Sequence, residues 1–202
     1  MSGLINHPII SDQIDRKELA VILRECQAVL SKGVKGDVVE FGCYVGTTSL
    51  FLQRLIMQLD QTKTLHVYDS FAGLPDKTAP DASPAGEQFK GGELLATKSQ
   101  LIKNFKHAGL PLPVIHKGWF EELSPSDVPE HISFAFLDGD FYMSIKASLE
   151  LVWPKLQPGA MVLVDDYQTV ALPGVRQILK EWSRDHSFVL RTEASLAIVT
   201  PR

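Results

Sequence analysis

Four short apolar runs, each holding an acidic residue or stopping beside one, constrain this chain more than any other feature in it. They lie at 38–41, 64–69, 133–137 and 160–164, and stretches of helical periodicity separate them. Runs this short, bounded by turn residues, read as buried strands rather than helices. Between them, Leu19, Ile22, Leu23, Cys26, Val29 and Leu30 recur at helical spacing within 12–31. A second helix opens near Thr47, and a third follows the capping sequence Thr-Lys-Ser-Gln at 97–100. The fourth carries Ile145, Leu149, Val152, Trp153 and Leu156, and the fifth Val175, Ile178, Leu179 and Trp182. Gln157-Pro158-Gly159 reads as a turn. Strands alternating with helices build a parallel sheet covered on both faces. A further short strand at 113–116 and a closing pair at 188–191 and 196–199, near enough to pair antiparallel, complete the pattern. The expected architecture is α/β: a doubly wound, seven-stranded, mostly parallel sheet with one antiparallel strand.

The first run leads into the most informative turn. Glu40, Gly42 and Gly46 stand in a Glu-x-Gly-x-x-x-Gly pattern, and Thr47, Thr48 and Ser49 can cap the helix that follows. A strand, a glycine turn and a helix N-terminus let backbone approach a nucleotide-like ligand and offer it free N–H groups. The spacing differs from the Gly-x-Gly-x-x-Gly of dinucleotide enzymes. It resembles motif I of class I S-adenosylmethionine (SAM)-dependent methyltransferases, which implies Gly42, Cys43, Tyr44, Gly46 and Thr47 along the cofactor. A tight turn with no ligand is the plain alternative.

In open α/β sheets, ligands bind beyond the carboxyl ends of the strands. Glu40, Asp69, Asp138 with Asp140, and Asp165 with Asp166 all fall at that rim. Asp69 suits a ribose because a carboxylate offers acceptors to both hydroxyls, with Ser70 and Phe71 beside it on the cofactor, or it caps a helix before Ser70. Glu40 either holds the glycine loop through backbone N–H groups or reaches the methionine end of SAM through a water. In the class I strand order Asp138, Asp165 and Asp166 converge, and like charges held together need a cation or a proton. Oxygen ligands without histidine or cysteine suit Mg²⁺ or another divalent cation of that kind. The alternative leaves Asp138 on the cofactor and the aspartate pair capping a helix. Gly118, Trp119 and Phe120 follow the third strand, where the aromatic rings either flank an adenine or pack in the core. Cys43 reads as a packing residue rather than a nucleophile, and His66 and His107 as structural.

At 202 residues and 45% hydrophobic, the chain makes one domain over 1–202, with a helical N-terminal segment over 1–36. The stretch 71–96, rich in Pro, Gly, Ala, Asp and Lys and without periodicity, reads as an active-site lid. A net charge of −4 with no basic block argues against nucleic acid or an anionic membrane as partner. No apolar run approaches the ~20 residues of a membrane span, and the first residues lack a secretory pattern. Two cysteines, Cys26 and Cys43, form no disulfide framework or metal spacing, which points to a reducing cytoplasm.

Four ordered motifs carry a more specific resemblance: Val-Tyr-Asp-Ser-Phe-Ala-Gly-Leu-Pro at 67–75, Lys-Gly-Trp-Phe at 117–120, Leu-Asp-Gly-Asp-Phe-Tyr-x-Ser at 137–144 and Val-Asp-Asp-Tyr at 164–167. Together they resemble the macrocin O-methyltransferase family, which methylates hydroxyls on sugars and aromatic rings of antibiotics. The resemblance implies SAM as methyl donor, a small-molecule hydroxyl acceptor, and Mg²⁺ held by Asp138, Asp165 and Asp166. It also implies dimers or larger assemblies, for which the first helix offers an apolar face. The metal-dependent catechol methyltransferases place ligands similarly, but Phe141 stands where their catalytic lysine would be, and 71–96 contains no histidine. The general base is therefore unassigned, and any longer N-terminal region that shapes the pocket in relatives is expected to be absent. Two other readings fit the same residues: a metal-independent methyltransferase and a SAM-binding protein without catalysis. A hydride-transferring dehydrogenase fits less well, given the glycine spacing.

Overall fold

The computed structural model describes residue 4 and residues 6–202; residues 1–3 and 5, on which part of the N-terminal reading falls, lie outside the described residues. Seven strands form one sheet in the order β3-β2-β1-β4-β5-β7-β6. They are β1 (Asp37–Phe41), β2 (Leu65–Asp69), β3 (Val114–Lys117), β4 (Ile132–Leu137), β5 (Leu156–Val164), β6 (Phe188–Glu193) and β7 (Leu196–Pro201). β7 runs antiparallel to both its neighbours, and every other pairing is parallel. The expected fold class is the one observed.

Alternation along the strands gives the sheet two cores. Val38, Val67, Phe134 and Phe136 face one side, where α1 (Arg16–Ser31), α2 (Thr47–Leu59) and α3 (Lys98–His107) pack. Val39, Phe41, Ala135, Leu137 and Val164 face the other, under α4 (Tyr142–Val152) and α5 (Pro173–Asp185). Burying strands on both faces is what makes them continuous apolar runs in sequence. The apolar stripe of α1, including Leu19, Ile22, Leu23 and Cys26, is buried within this chain's own core. Both cysteines are free and buried, and among the described residues no helix is long and apolar enough to cross a membrane.

Several boundaries differ from the sequence expectation, each for a local reason. α1 begins at Arg16 because the Asp15 carboxylate accepts from the N–H groups of Lys17 and Glu18, with Glu18 completing the capping box. α4 stops at Val152 and tightens into a short 3-10 turn at Trp153–Lys155, since Pro154 has no N–H to continue the ladder. Leu156 is therefore in β5 rather than on the helix face. Gln157-Pro158-Gly159 is a bulge inside β5, which pairs with Ile132 at Leu156 and resumes register at Met161. The cap of α2 is Gly46, in a left-handed conformation, so Thr47, Thr48 and Ser49 lie inside the helix and do not cap it. Thr97 does cap α3, accepting from the Gln100 N–H at 3.1 Å.

Candidate active site

Strand order reverses direction between β1 and β4, and the register holds their ends level: Phe41 pairs with Leu137, Leu137 with Val164, and Phe41 with Tyr68. Rung hydrogen bonds continue one residue past the strands, from Asp138 N–H to Phe41 O at 2.8 Å and from Asp165 N–H to Leu137 O at 2.9 Å. Asp69, Gly42, Asp138 and Asp165 consequently stand in one row along the rim. A cavity of about 260 Å³ opens over this row, at the switch point where such sheets bind ligands. A smaller one, about 30 Å³, lies beneath the glycine turn.

The turn is held from below and from the side. Gly42 has φ +86, and a Cβ there would stand 1.8 Å from the Asp138 carbonyl oxygen, so only glycine lets β1 and β4 approach this closely. The Asp69 carboxylate accepts from Cys43 N–H and Tyr44 N–H at 3.0 Å each, and from Phe71 N–H at 2.7 Å. It thus ties the turns after β1 and β2 together while lining the larger cavity. Glu40 does not bind the loop backbone; it accepts from the Ser49 hydroxyl of α2 and lines the smaller cavity. Burial raises its pKa to about 8, with Asp69 adding to the shift and Ser49 opposing it. Burial, then Asp69 and Glu40, push the Cys43 thiol well up, which keeps it a neutral packing group.

Of the cofactor residues expected from sequence, Gly42, Tyr44 and Asp138 line both cavities. Asp69, Ser70, Trp119 and Phe120 line the larger one, and Glu40, Cys43 and Thr47 the smaller. Gly46, Phe71 and Gly118 line neither: Gly46 packs toward Leu101, Phe71 is buried in the core, and Gly118 donates its N–H to Asp69 O at 3.1 Å. Of the three expected metal ligands, Asp138 and Asp166 face the larger cavity. Asp165 stands behind, with Oδ1 accepting from the Ser195 hydroxyl at 2.7 Å and the Asp166 N–H at 2.8 Å.

The carboxylates interact strongly. Burial, then Asp165, Asp140 and Asp166, raise the pKa of Asp138 well above the ordinary range; burial, then Asp166 and Asp165, do the same to Asp140. Asp165 is raised to about 7 by burial and by Asp166, and Asp166 is raised by burial. Among the described residues, no lysine, arginine or histidine lines the cavity to balance them. Among the described residues, no three carboxylate, imidazole or thiol groups are gathered closely enough, as they stand, to enclose a metal ion.

Sequence reasoning underweighted Asp140 and missed Asp12, Gln13, Phe89, Leu94 and Ser144, all on the cavity wall. Asp140, Phe89 and Leu94 had signals: the first sits in the Asp-Gly-Asp motif, the others in the stretch read as a lid. Asp12 and Gln13 carried none, because they precede α1 and reach the rim only through the fold.

The family model described as Macrocin-O-methyltransferase (TylF) matches residues 9–192. The chain is 32% identical over 148 residues to 8-demethyl-8-(2,3-dimethoxy-alpha-L-rhamnosyl)-tetracenomycin-C 4'-O-methyltransferase of Streptomyces olivaceus, covering 70% of this chain and 56% of that protein. It is 30% identical over 173 residues to mycinamicin III 3''-O-methyltransferase of Micromonospora griseorubida, covering 81% and 67%. The matched region is thus about half to two thirds of these relatives' lengths. Among solved structures, the O-methyltransferase NovP superposes with a TM-score of 0.80 at 24% identity, over 93% of this chain and 81% of that one. The calicheamicin methyltransferase CalS11 does so at 0.73 and 18%, over 98% and 88%. At these identities the likeness speaks for the fold.

Proposed function

The chain belongs to the macrocin O-methyltransferase family, and we propose that it transfers a methyl group from SAM to a hydroxyl of a small natural-product molecule, with a divalent cation assisting. The observation that carries this reading is the meeting of the glycine turn and the acids of β2, β4 and β5 on one cavity. The relatives' names, both O-methyltransferases of natural products, favour a sugar or phenol hydroxyl as acceptor.

SAM, when bound, supplies an electrophilic methyl on a sulfonium. The turn at 42–46 and Tyr44 would line its length, Asp69 would meet the ribose, and Trp119 and Phe120 would flank the base. A cation suits the donor set, since buried carboxylates with raised proton affinity and no basic neighbour call for positive charge. Asp138, Asp165 and Asp166 would hold it, their side chains turning toward it, and it would supply Lewis acidity toward the acceptor hydroxyl. Asp140 fills the role left open by the missing lysine. It lies on the cavity wall, where burial raises its affinity for a proton. Its carboxylate would take the proton of the acceptor hydroxyl, leaving that oxygen free to accept the methyl that SAM would supply. Leu74, Pro75, Phe89 and Leu94 line the cavity with apolar surface, which would keep water from the bound reactants.

A second reading, metal-independent transfer, draws support from Asp165, whose Oδ1 already accepts two hydrogen bonds. Calorimetric titration with S-adenosylhomocysteine, then with Mg²⁺, separates the two. Micromolar cofactor binding plus a Mg²⁺ isotherm lost in Asp166→Ala supports the cation-assisted enzyme. Turnover that EDTA leaves intact moves the assignment to the second reading, and no binding of S-adenosylhomocysteine overturns both.

A further inference from the structure

We infer that the segment 11–14, ahead of α1, is a wall of the cofactor site, and that Gln13 binds the amino-acid end of the cofactor. The inference rests on the methyl-donor reading above.

The segment is fixed at both ends and free in the middle. Thr47, the first residue of α2, donates its hydroxyl to Ser11 Oγ at 3.1 Å, which ties the segment to the helix that leaves the glycine turn. Ile14 is buried in the core, and Asp15 caps α1. Asp12 and Gln13 span the gap between these anchors; both are exposed, and both line the larger cavity. Gln13 also lines the smaller cavity, together with Glu40, Gly42, Tyr44, Thr47 and Asp138. With its neighbours Ser11, Asp12 and Ile14, it brings the segment ahead of α1 to the two spaces.

Position along the rim says which end of the ligand it meets. Asp69 at the end of β2 and Trp119 and Phe120 beyond β3 mark the nucleoside side of the turn. The opposite side, between the turn and Asp138 at the end of β4, is where Gln13 stands, and an elongated cofactor crossing the turn must end there. The chemistry agrees. Gln13 Nε2 donates to Asp12 Oδ1 at 2.8 Å, and because a carboxylate only accepts, this bond orients the amide and leaves Oε1 as a free acceptor. A carbonyl oxygen on a residue lining a small space shared with Glu40 and Asp138 suits an α-ammonium group.

Two probes test this: S-adenosylhomocysteine, and methylthioadenosine, which keeps the nucleoside and thioether but lacks the amino acid. In Gln13→Ala, affinity for S-adenosylhomocysteine should fall about tenfold, the effect of one hydrogen bond to a charged group, while methylthioadenosine should compete as it does in the wild type. In the wild type, S-adenosylhomocysteine should slow backbone hydrogen exchange across 9–15. Unchanged affinity in Gln13→Ala, equal losses for both probes, or no protection of 9–15 each overturns the inference while leaving the methyl-donor reading standing. Failure of the wild type to bind S-adenosylhomocysteine removes both.

Discussion

Six described residues other than glycine adopt positive φ, and five of them, Tyr44, Phe71, Leu94, Asp140 and Asp166, lie in the loops around the cavity. Each such conformation costs about 1–2 kcal/mol for an L-residue. At Asp140 and Asp166, with φ 60 and 57, that cost turns a carboxylate just past a strand end back over the sheet. If Asp140 takes the acceptor proton, Asp140→Asn should lower kcat by about 10²–10⁴-fold and leave affinity for S-adenosylhomocysteine near wild type. A variant with full turnover would remove Asp140 from the chemistry. Glu40 gives a prediction of another kind. Its pKa is raised to about 8 in the folded chain, against about 4.3 unfolded. Between those values the folded state keeps a proton that the unfolded state has lost, so stability declines as pH rises through the window. Glu40→Gln, which can still accept from Ser49, lacks this decline. Urea denaturation should show its stability relative to wild type rising between pH 5 and pH 8, by an amount on the order of a few kcal/mol. An equal difference at both pH values would mean that Glu40 does not hold the proton.

Among the elements, the stretch 71–96 is tied to the helices beside it. It contains two short 3-10 turns, at Ala79–Asp81 and Pro84–Gly86, and is fastened at the first of them. Asp81 is fully buried, accepting from Thr78 N–H and hydroxyl at 3.1 and 2.6 Å and from Tyr142 N–H, at the start of α4, at 2.7 Å. One of its oxygens would stand 2.0 Å from a Cβ at Gly174, so the N-termini of α4 and α5 close around a single carboxylate. Helix N-termini attract such a group because their first N–H donors have no partner within the helix. Asp81→Ala should therefore lower stability by about 1–3 kcal/mol, leaving the half-buried Tyr142 N–H without its acceptor. Limited proteolysis should then cut within 71–96 earlier than in wild type, while Asp81→Asn, which retains an acceptor oxygen, should lie between. Unchanged cleavage in Asp81→Ala would mean that other contacts hold the stretch. Ser83 is one such contact, donating to Val170 O at 2.8 Å.

Across the whole molecule, periodicity alone determined the strand and helix pattern, because residues buried on both faces of a parallel sheet must be apolar in unbroken runs. It determined also that Glu40, Asp69, Asp138 and Asp165 gather at one edge, since parallel strands of matching register bring their carboxyl ends together. The four motifs marked the family for the same reason: each is a local stretch at a strand end. What periodicity does not encode is which side chains the final packing turns toward the cavity. Asp165 and Asp166 are adjacent in sequence, yet hydrogen bonds from Ser195 and the Asp166 N–H hold the first behind the wall while a left-handed backbone puts the second on it. Asp12 and Gln13 reach the site only because α1 packs beside α2, and Asp81 finds its partners only because α4 and α5 begin side by side. Those assignments depend on contacts between distant parts of the chain, and only the tertiary structure decided them.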